Sequence, residues 1–417
     1  MYTLAEPMAT LIYISAELWG SIMLSYLYLS YLNESCTFRQ HSRFIPPLFI
    51  LINFALFTSA LVTSAMRYFI TKLKNKTRTK LLMMSEIFFL EGIMVLGVLL
   101  CKYYLEKRVL NTPLFIPRRM ERSRRPKPRL SMKESFNIMK KSKFLISMCG
   151  IVFFFNVMAN LLETVYKLGI KESATQRNME ASEYSAKLNN YDQYITSLVV
   201  IGLNLTSFSN ITNTMGWLFT SLISPSVAIF GVVFILGLGT YNSATEENSF
   251  SFINSMFSGR TAFYTLENYG GMLVMAGIKI FKYTSFDVTK EKISMRIEER
   301  YRPKFKSIYD GIFNKVGKSG GSVYSIMANA VFKDISPRGI APITLLFSSG
   351  FIFVWIILLF YLGANYNKSI NNQKPIEIDL FNEEDEEESE KEEGEIKEGE
   401  RINERPKETE KVKKIVL

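Results

Sequence analysis

The chain has 417 residues, of which 48% are hydrophobic, 13% aromatic and only 21% charged; that balance points away from two or three soluble domains and towards an integral membrane protein. Its 50 Lys and Arg against 39 Asp and Glu give +11, and the excess sits between apolar runs rather than in one stripe, so nucleic acid is not an expected partner. A single histidine, His41, excludes a multi-histidine metal site. Cys36, Cys101 and Cys149 have no metal-ligand spacing and read as inert packing residues, so neither a metal nor a cofactor is expected.

Taken in chain order, nine segments read as membrane-crossing helices: 8–31, 44–66, 81–105, 144–168, 194–215, 217–239, 258–280, 320–337 and 339–364. A helix of about 20 residues spans the hydrocarbon core. The first run begins almost at Met1 with no basic stretch before it, so no cleaved signal peptide is expected. The segment 320–337 is the least apolar, and its Ser322, Ser325, Asn329 and Lys333 need a bundle interior. The fold class expected is therefore all-α, a polytopic membrane helix bundle.

Side assignment follows the basic loops. Residues 106–143 hold 13 Lys and Arg against 3 acidic residues, and 281–319 hold 10 against 5. Both are expected to be cytoplasmic, and the four crossings between them put them on one side. The stretch 67–80 is also basic, yet parity puts it on the other side. The last 53 residues hold 17 of the 39 acidic groups and 10 of the 50 basic ones, which leaves residues 1–364 with 40 against 22, or +18. This tail, 365–417, reads as a disordered acidic segment; a docking segment for a basic partner is the alternative.

Ionisable residues inside apolar helices are expensive and mark functional sites. Glu17 lies deep in LIYISAELWGSIMLSYLYL, and Glu163 and Lys167 sit one helical turn apart in NLLETVYKLG, where a local ion pair is the simpler reading. Glu86, Glu91 and Glu267 are weaker candidates. The stretch GIFNKVGKSGGS, Gly311 to Ser322, is not a Walker loop, because five residues rather than four separate Gly311 from Gly317. It reads instead as a Gly-rich, Lys318-bearing approach to a helix, with exposed backbone donors and a cation suited to an anion. A flexible loop with a snorkelling lysine is the plainer alternative.

Four segments carry a resemblance: SAELWGS from Ser15, NLLETVYK from Asn160, KYTSFDVTKE from Lys282 and GKSGGS from Gly317. In this order and at these spacings the chain resembles the ATP/ADP antiporters of plastids, obligate intracellular bacteria and microsporidia. The resemblance implies a major-facilitator-like bundle of which nine of an expected twelve helices are present. It divides the chain into a three-helix remainder of the N-terminal bundle (1–105), a basic central loop (106–143), a six-helix C-terminal bundle (144–364) and the tail. It implies that Glu17, Glu163, Lys167 and Lys318 bind substrate or gate, with Lys282 a weaker candidate. It implies exchange of ATP for ADP across a lipid membrane by alternating access, without catalysis or cofactor. The Lys-, Asn- and Ile-rich composition suits a microsporidian member at the parasite's cell membrane. A proton-coupled or broader nucleotide transporter and a non-transporting membrane scaffold remain as alternatives.

Overall fold

In lipid an apolar segment must satisfy its own backbone, and a helix is the local way to do so. The computed structural model describes residues 7–18, 28, 31, 38–72, 76–109, 112, 132–206, 208, 211–298, 302–333 and 335–376, and among them there are helices and turns but no strand. The acidic tail beyond 376 and most of the basic stretch 110–131 lie outside the described residues, as does Cys36.

The helices are α1 (Pro7–Leu18), α2 (Phe38–Lys72), α3 (Lys76–Tyr104), α4 (Met132–Lys141), α5 (Lys143–Gln176) and α6 (Ala181–Leu205). They continue with α7 (Trp217–Gly231), a π turn at Val232–Leu236, α8 (Gly237–Thr245), α9 (Ser251–Phe257), α10 (Tyr264–Phe281), a π turn at Lys282–Phe286 and α11 (Asp287–Ser294). The chain closes through α12 (Arg302–Lys306), a π turn at Ser307–Phe313, α13 (Asn314–Val331) and α14 (Ala341–Asn371). Among the described residues five stretches are long and apolar enough to cross a membrane: Pro47–Phe69, Phe88–Val109, Lys143–Gln176, Trp217–Thr245 and Ala341–Asn371.

Three expectations shift. The segment placed at 194–215 is a helix at Ala181–Leu205, because Tyr184, Leu188, Asn190 and Asp192, in a stretch too polar to look membrane-like, turn inward and are buried. The basic loop 281–319 is mostly helical: α10 runs on through its π turn into α11, and α12 leads into α13, so the two arms form a hairpin that extends beyond the apolar spans. The last helix continues to Asn371 rather than stopping at 364.

The core lies in the C-terminal part, where α5 is the central helix. Phe155 stacks on Phe286 at 4.5 Å between ring centroids, and Trp355 of α14 closes the same cluster edge-on. Cys149 is buried against Met139 of α4, which fits inert packing, whereas Cys101 is exposed. α2 lies antiparallel along α6. Ser64 accepts hydrogen bonds from Asn190 and Tyr194 at 2.9 and 3.0 Å, and Phe57 packs edge-on against Tyr194. Arg67 donates to the backbone carbonyls of Glu183 and Ala186 at 3.3 and 3.2 Å. That contact puts the start of the basic 67–80 stretch at the end of the bundle where α6 begins, opposite the end where α5 begins after the 106–143 loop.

Candidate functional site

At the end of the bundle where α5 finishes, Glu267 of α10 is 3% exposed and pairs with Arg338. The Arg338 Nε donates to Oε1 at 2.9 Å, Nη2 donates to Oε2, and Asn242 of α8 donates to Oε2 at 2.6 Å. The Asn242 side-chain Oδ1 in turn accepts from the backbone N–H of Phe263 at 2.8 Å, and the Arg338 guanidinium lies 5.4 Å from the Tyr264 ring centroid. Glycine at 169 makes room for the pair, since a Cβ there would stand 2.4 Å from the Glu267 carboxylate. A fork-on-carboxylate pair with its remaining lone pair satisfied is a clamp. Sequence reasoning left Glu267 ambiguous because Arg338 is 71 residues away.

At the other end, the hairpin beyond the spans holds a second sealed cluster. Lys306 donates to both carboxylate oxygens of Glu291 at 2.7 Å, with side chains 1% and 4% exposed. Lys290 bridges Asp287 at 3.0 Å and Asp310 at 2.7 Å, and the Tyr309 and Ser294 hydroxyls lie 2.5 Å apart. Burial alone would lower the Lys290 pKa, but Asp287, Asp310 and Glu291 overcome it and hold the ammonium well above its usual range. Burial raises the Asp310 carboxyl, against the pull of Lys290 and Lys306. Trp217 Nε1 donates to the Thr289 carbonyl at 2.8 Å and ties the hairpin to α7.

Between these ends the charges are less enclosed. Glu163 and Lys167 form an ion pair at 2.7 Å along α5, with side chains 42% and 61% exposed. Tyr166, between them in sequence, is buried; α10 crosses its ring because residue 271 is glycine, where a Cβ would come within 2.7 Å. One helix over, Asp192 of α6 pairs with Lys279 of α10, 7% and 38% exposed. Asp192 lies within electrostatic reach of Glu163 and also takes a 3.4 Å hydrogen bond from Thr196. Sequence reading named neither Asp192 nor Lys279, since both stood in stretches it treated as loop or as ordinary span.

The GKSGG stretch lies within α13 rather than in a loop before it. Its backbone donors are therefore taken up by helix bonds, and the exposed-donor reading of the sequence does not hold. The glycines serve packing: a Cβ at Gly317 would stand 2.8 Å from the Phe153 carbonyl, and one at Gly321 would stand 2.5 Å from Asn160 Oδ1. Small residues four apart let two helix backbones approach closely. Lys318 lies between them in sequence and is exposed on α13, the helix packed on the α5 turns that lead to Glu163.

The remaining candidates are not brought to these pairs. Glu17 is in α1, and its side chain lies outside the described residues. Glu86 and Glu91 are both exposed on α3. Lys282 is half-buried at the start of a π turn, its ammonium 5.5 Å from the Tyr283 ring centroid. A small cavity between α5, α7 and α10, lined by Phe155, Met158, Leu162 and Ile278, is apolar. Among the described residues no cluster of His, Cys, Asp and Glu could hold a metal ion.

An all-α polytopic bundle with ion pairs among its apolar helices has the organisation of a membrane protein whose charged groups mark a functional path. Comparison with known proteins gives the particular group. Residues 3–366 match the TLC ATP/ADP transporter family, and the chain belongs to it, a family of transporters and not of enzymes. ADP,ATP carrier protein 1 of Encephalitozoon cuniculi (strain GB-M1) is 43% identical over 378 residues, covering 91% of this chain and 67% of that protein. ADP,ATP carrier protein 1 of Paranosema grylli is 28% identical, covering 90% and 67%, and that of Chlamydia pneumoniae is 27% identical, covering 75% and 58%. The chain thus spans about two thirds of the length of the microsporidian relatives. No solved structure matches.

Proposed function

We propose that the protein exchanges ATP for ADP by alternating access and so brings host ATP into an intracellular parasite. The observation that carries this reading is the coincidence of the family match with two partly exposed lysines, Lys167 and Lys279, each paired with a carboxylate, since ATP and ADP are polyanions that need such partners. Glu163 and Lys167 belong to the path through the bundle, with Lys318 approaching it along α13, and Glu17 is assigned to the same path. The lysines meet phosphate, while Glu163 and Glu17 hold lysines in place or rearrange when nucleotide arrives. The C-terminal six-helix unit rocks against the N-terminal helices in a major-facilitator-like frame. The 106–143 loop and the acidic tail face the cytoplasm.

The test is nucleotide exchange in vesicles carrying the full chain and preloaded with ADP. Uptake of labelled ATP that requires internal nucleotide and ignores a pH gradient supports the reading. Uptake driven by the gradient would establish proton coupling, and no uptake with no nucleotide binding would leave a membrane scaffold. Orientation is checked separately: a cysteine near Ser389 should resist an impermeant thiol reagent in intact cells and one near Asn178 should react.

A further inference from the structure

We propose that Lys279 is a further residue of the anion path, an exchangeable counter-charge that leaves Asp192 for the phosphate chain of the nucleotide. The inference rests on the reading of this protein as an adenine-nucleotide carrier. The end of α5, the start of α6 and the start of α10 lie together, joined by hydrogen bonds from Arg177 to Thr265 at 2.9 Å and from Asn268 to Tyr184 at 3.3 Å. From that end Glu163 is 176 − 163 = 13 residues down α5, Asp192 is 192 − 181 = 11 down α6 and Lys279 is 279 − 264 = 15 down α10. At 1.5 Å per residue the three share a depth of about 16–23 Å, near the middle of the bundle.

The pair also borders the seam with the N-terminal helices. Tyr283, one turn beyond Lys279 on the same side of its helix, has its ring centroid 6.3 Å from that of Phe49 of α2. Asn190 and Tyr194 flank Asp192 in sequence and bond Ser64 of α2. A carrier built of two units holds its solute between them at mid-depth.

Its bonding suits exchange. Glu267 grips Arg338 through a two-point fork and Glu291 takes Lys306 on both oxygens, and these pairs are sealed. Lys279 instead meets only Oδ2 of Asp192, while Thr196 holds Oδ1, so the carboxylate keeps a partner when the lysine departs. The lysine stem is flexible and partly exposed, and an ammonium is a point charge that accepts carboxylate or phosphate from any direction. Glu163, Lys167, Asp192 and Lys279 together are neutral. A polyanion finds cations there only if lysines are released from carboxylates, and Lys279 has the arrangement to do so.

The experiment measures ATP/ADP exchange, and ADP-dependent rise of melting temperature, for full-length chains carrying Lys279→Gln, Lys279→Arg, Asp192→Asn and the double neutral Asp192→Asn/Lys279→Gln. Lys279→Gln should raise KM about tenfold in correctly inserted protein, Lys279→Arg should retain part of the affinity, and Asp192→Asn should bind nucleotide at least as tightly while turning over more slowly. A structural pair behaves differently: removing both charges restores what each single change loses. The double variant strands no charge, so it carries the test even if a single variant fails to accumulate. A raised KM in the double variant supports the proposal; a wild-type KM overturns it. If the wild-type chain neither exchanges nor binds nucleotide, the carrier reading falls and this inference with it, whereas wild-type exchange with an unaltered Lys279→Gln removes this inference alone.

Discussion

The ends of the bundle and its middle use the same ingredients, carboxylates paired with cations, yet enclose them differently. Glu267 with Arg338, and Glu291 with Lys306, have 4% or less of each side chain exposed. Glu163 with Lys167, and Asp192 with Lys279, leave between 38% and 61% of each cation exposed. A sealed pair has exchanged its hydration for a fixed partner and is costly to disturb. A half-open pair keeps the option of another partner. Exposure, more than the presence of charge in an apolar helix, separates groups that hold the helices together from groups able to meet a solute.

The largest effect is expected at the clamp. Arg338→Met strands the Glu267 carboxylate and should cost about 3–5 kcal/mol, seen as a collapse in the yield of monodisperse protein, and Glu267→Leu added to it should recover much of that yield. If Arg338→Met accumulates normally, the sealed pairs are not what holds this end. A contact without charge gives the next test. Gly321→Ala pushes a Cβ towards Asn160, 2.5 Å from its Oδ1 and 2.9 Å from its Cβ, and at about 1–3 kcal/mol of overpacking it should lower the melting temperature, with Asn160→Ala relieving the clash only in part because the Cβ at 160 stays.

A half-open pair should respond in the opposite sense. Glu163→Gln should leave yield and melting temperature near wild type and reduce exchange per milligram of inserted protein about tenfold, the worth of roughly 1.4 kcal/mol. Lys318→Gln should follow it more weakly, because Lys318 lies on the neighbouring helix. The smallest effect concerns pH. Burial lowers the Lys292 pKa to about 8, below its unfolded value, so keeping it charged in the fold opposes stability below pH 8. That penalty fades as pH rises from about 8 towards the usual lysine range, because the unfolded chain then binds the extra proton. Lys292→Gln should therefore stabilise the protein at pH 7 by an amount that shrinks by pH 10, measured as melting temperature across the series.

What the sequence made legible follows from how local each signal is. The apolar runs of α2, α3, α5, α7 and α14 carry their own evidence, and the Glu163 and Lys167 spacing fixes an i,i+4 pair whatever the fold does. Asp192 with Lys279 and Glu267 with Arg338 join residues 87 and 71 positions apart, and nothing short of tertiary structure brings them together. The polar face of α6 looked like loop because its Asn190 and Asp192 find partners on other helices. The GKSGG stretch misled for a different reason: glycine weakens an isolated helix, but against Phe153 and Asn160 its lack of a side chain is what lets α13 form there.

Arg67 is bound to α6 through the carbonyls of Glu183 and Ala186, and not through their side chains. Every residue type offers that same carbonyl, so positions 183 and 186 are free to drift in descendants of this gene without loosening the joint between the two parts of the chain. The converse is a one-sided dependence. A mutation that removes the guanidinium has no compensating substitution available on α6, and any second-site reversion of such a loss has to arise on α2 or along a different contact altogether.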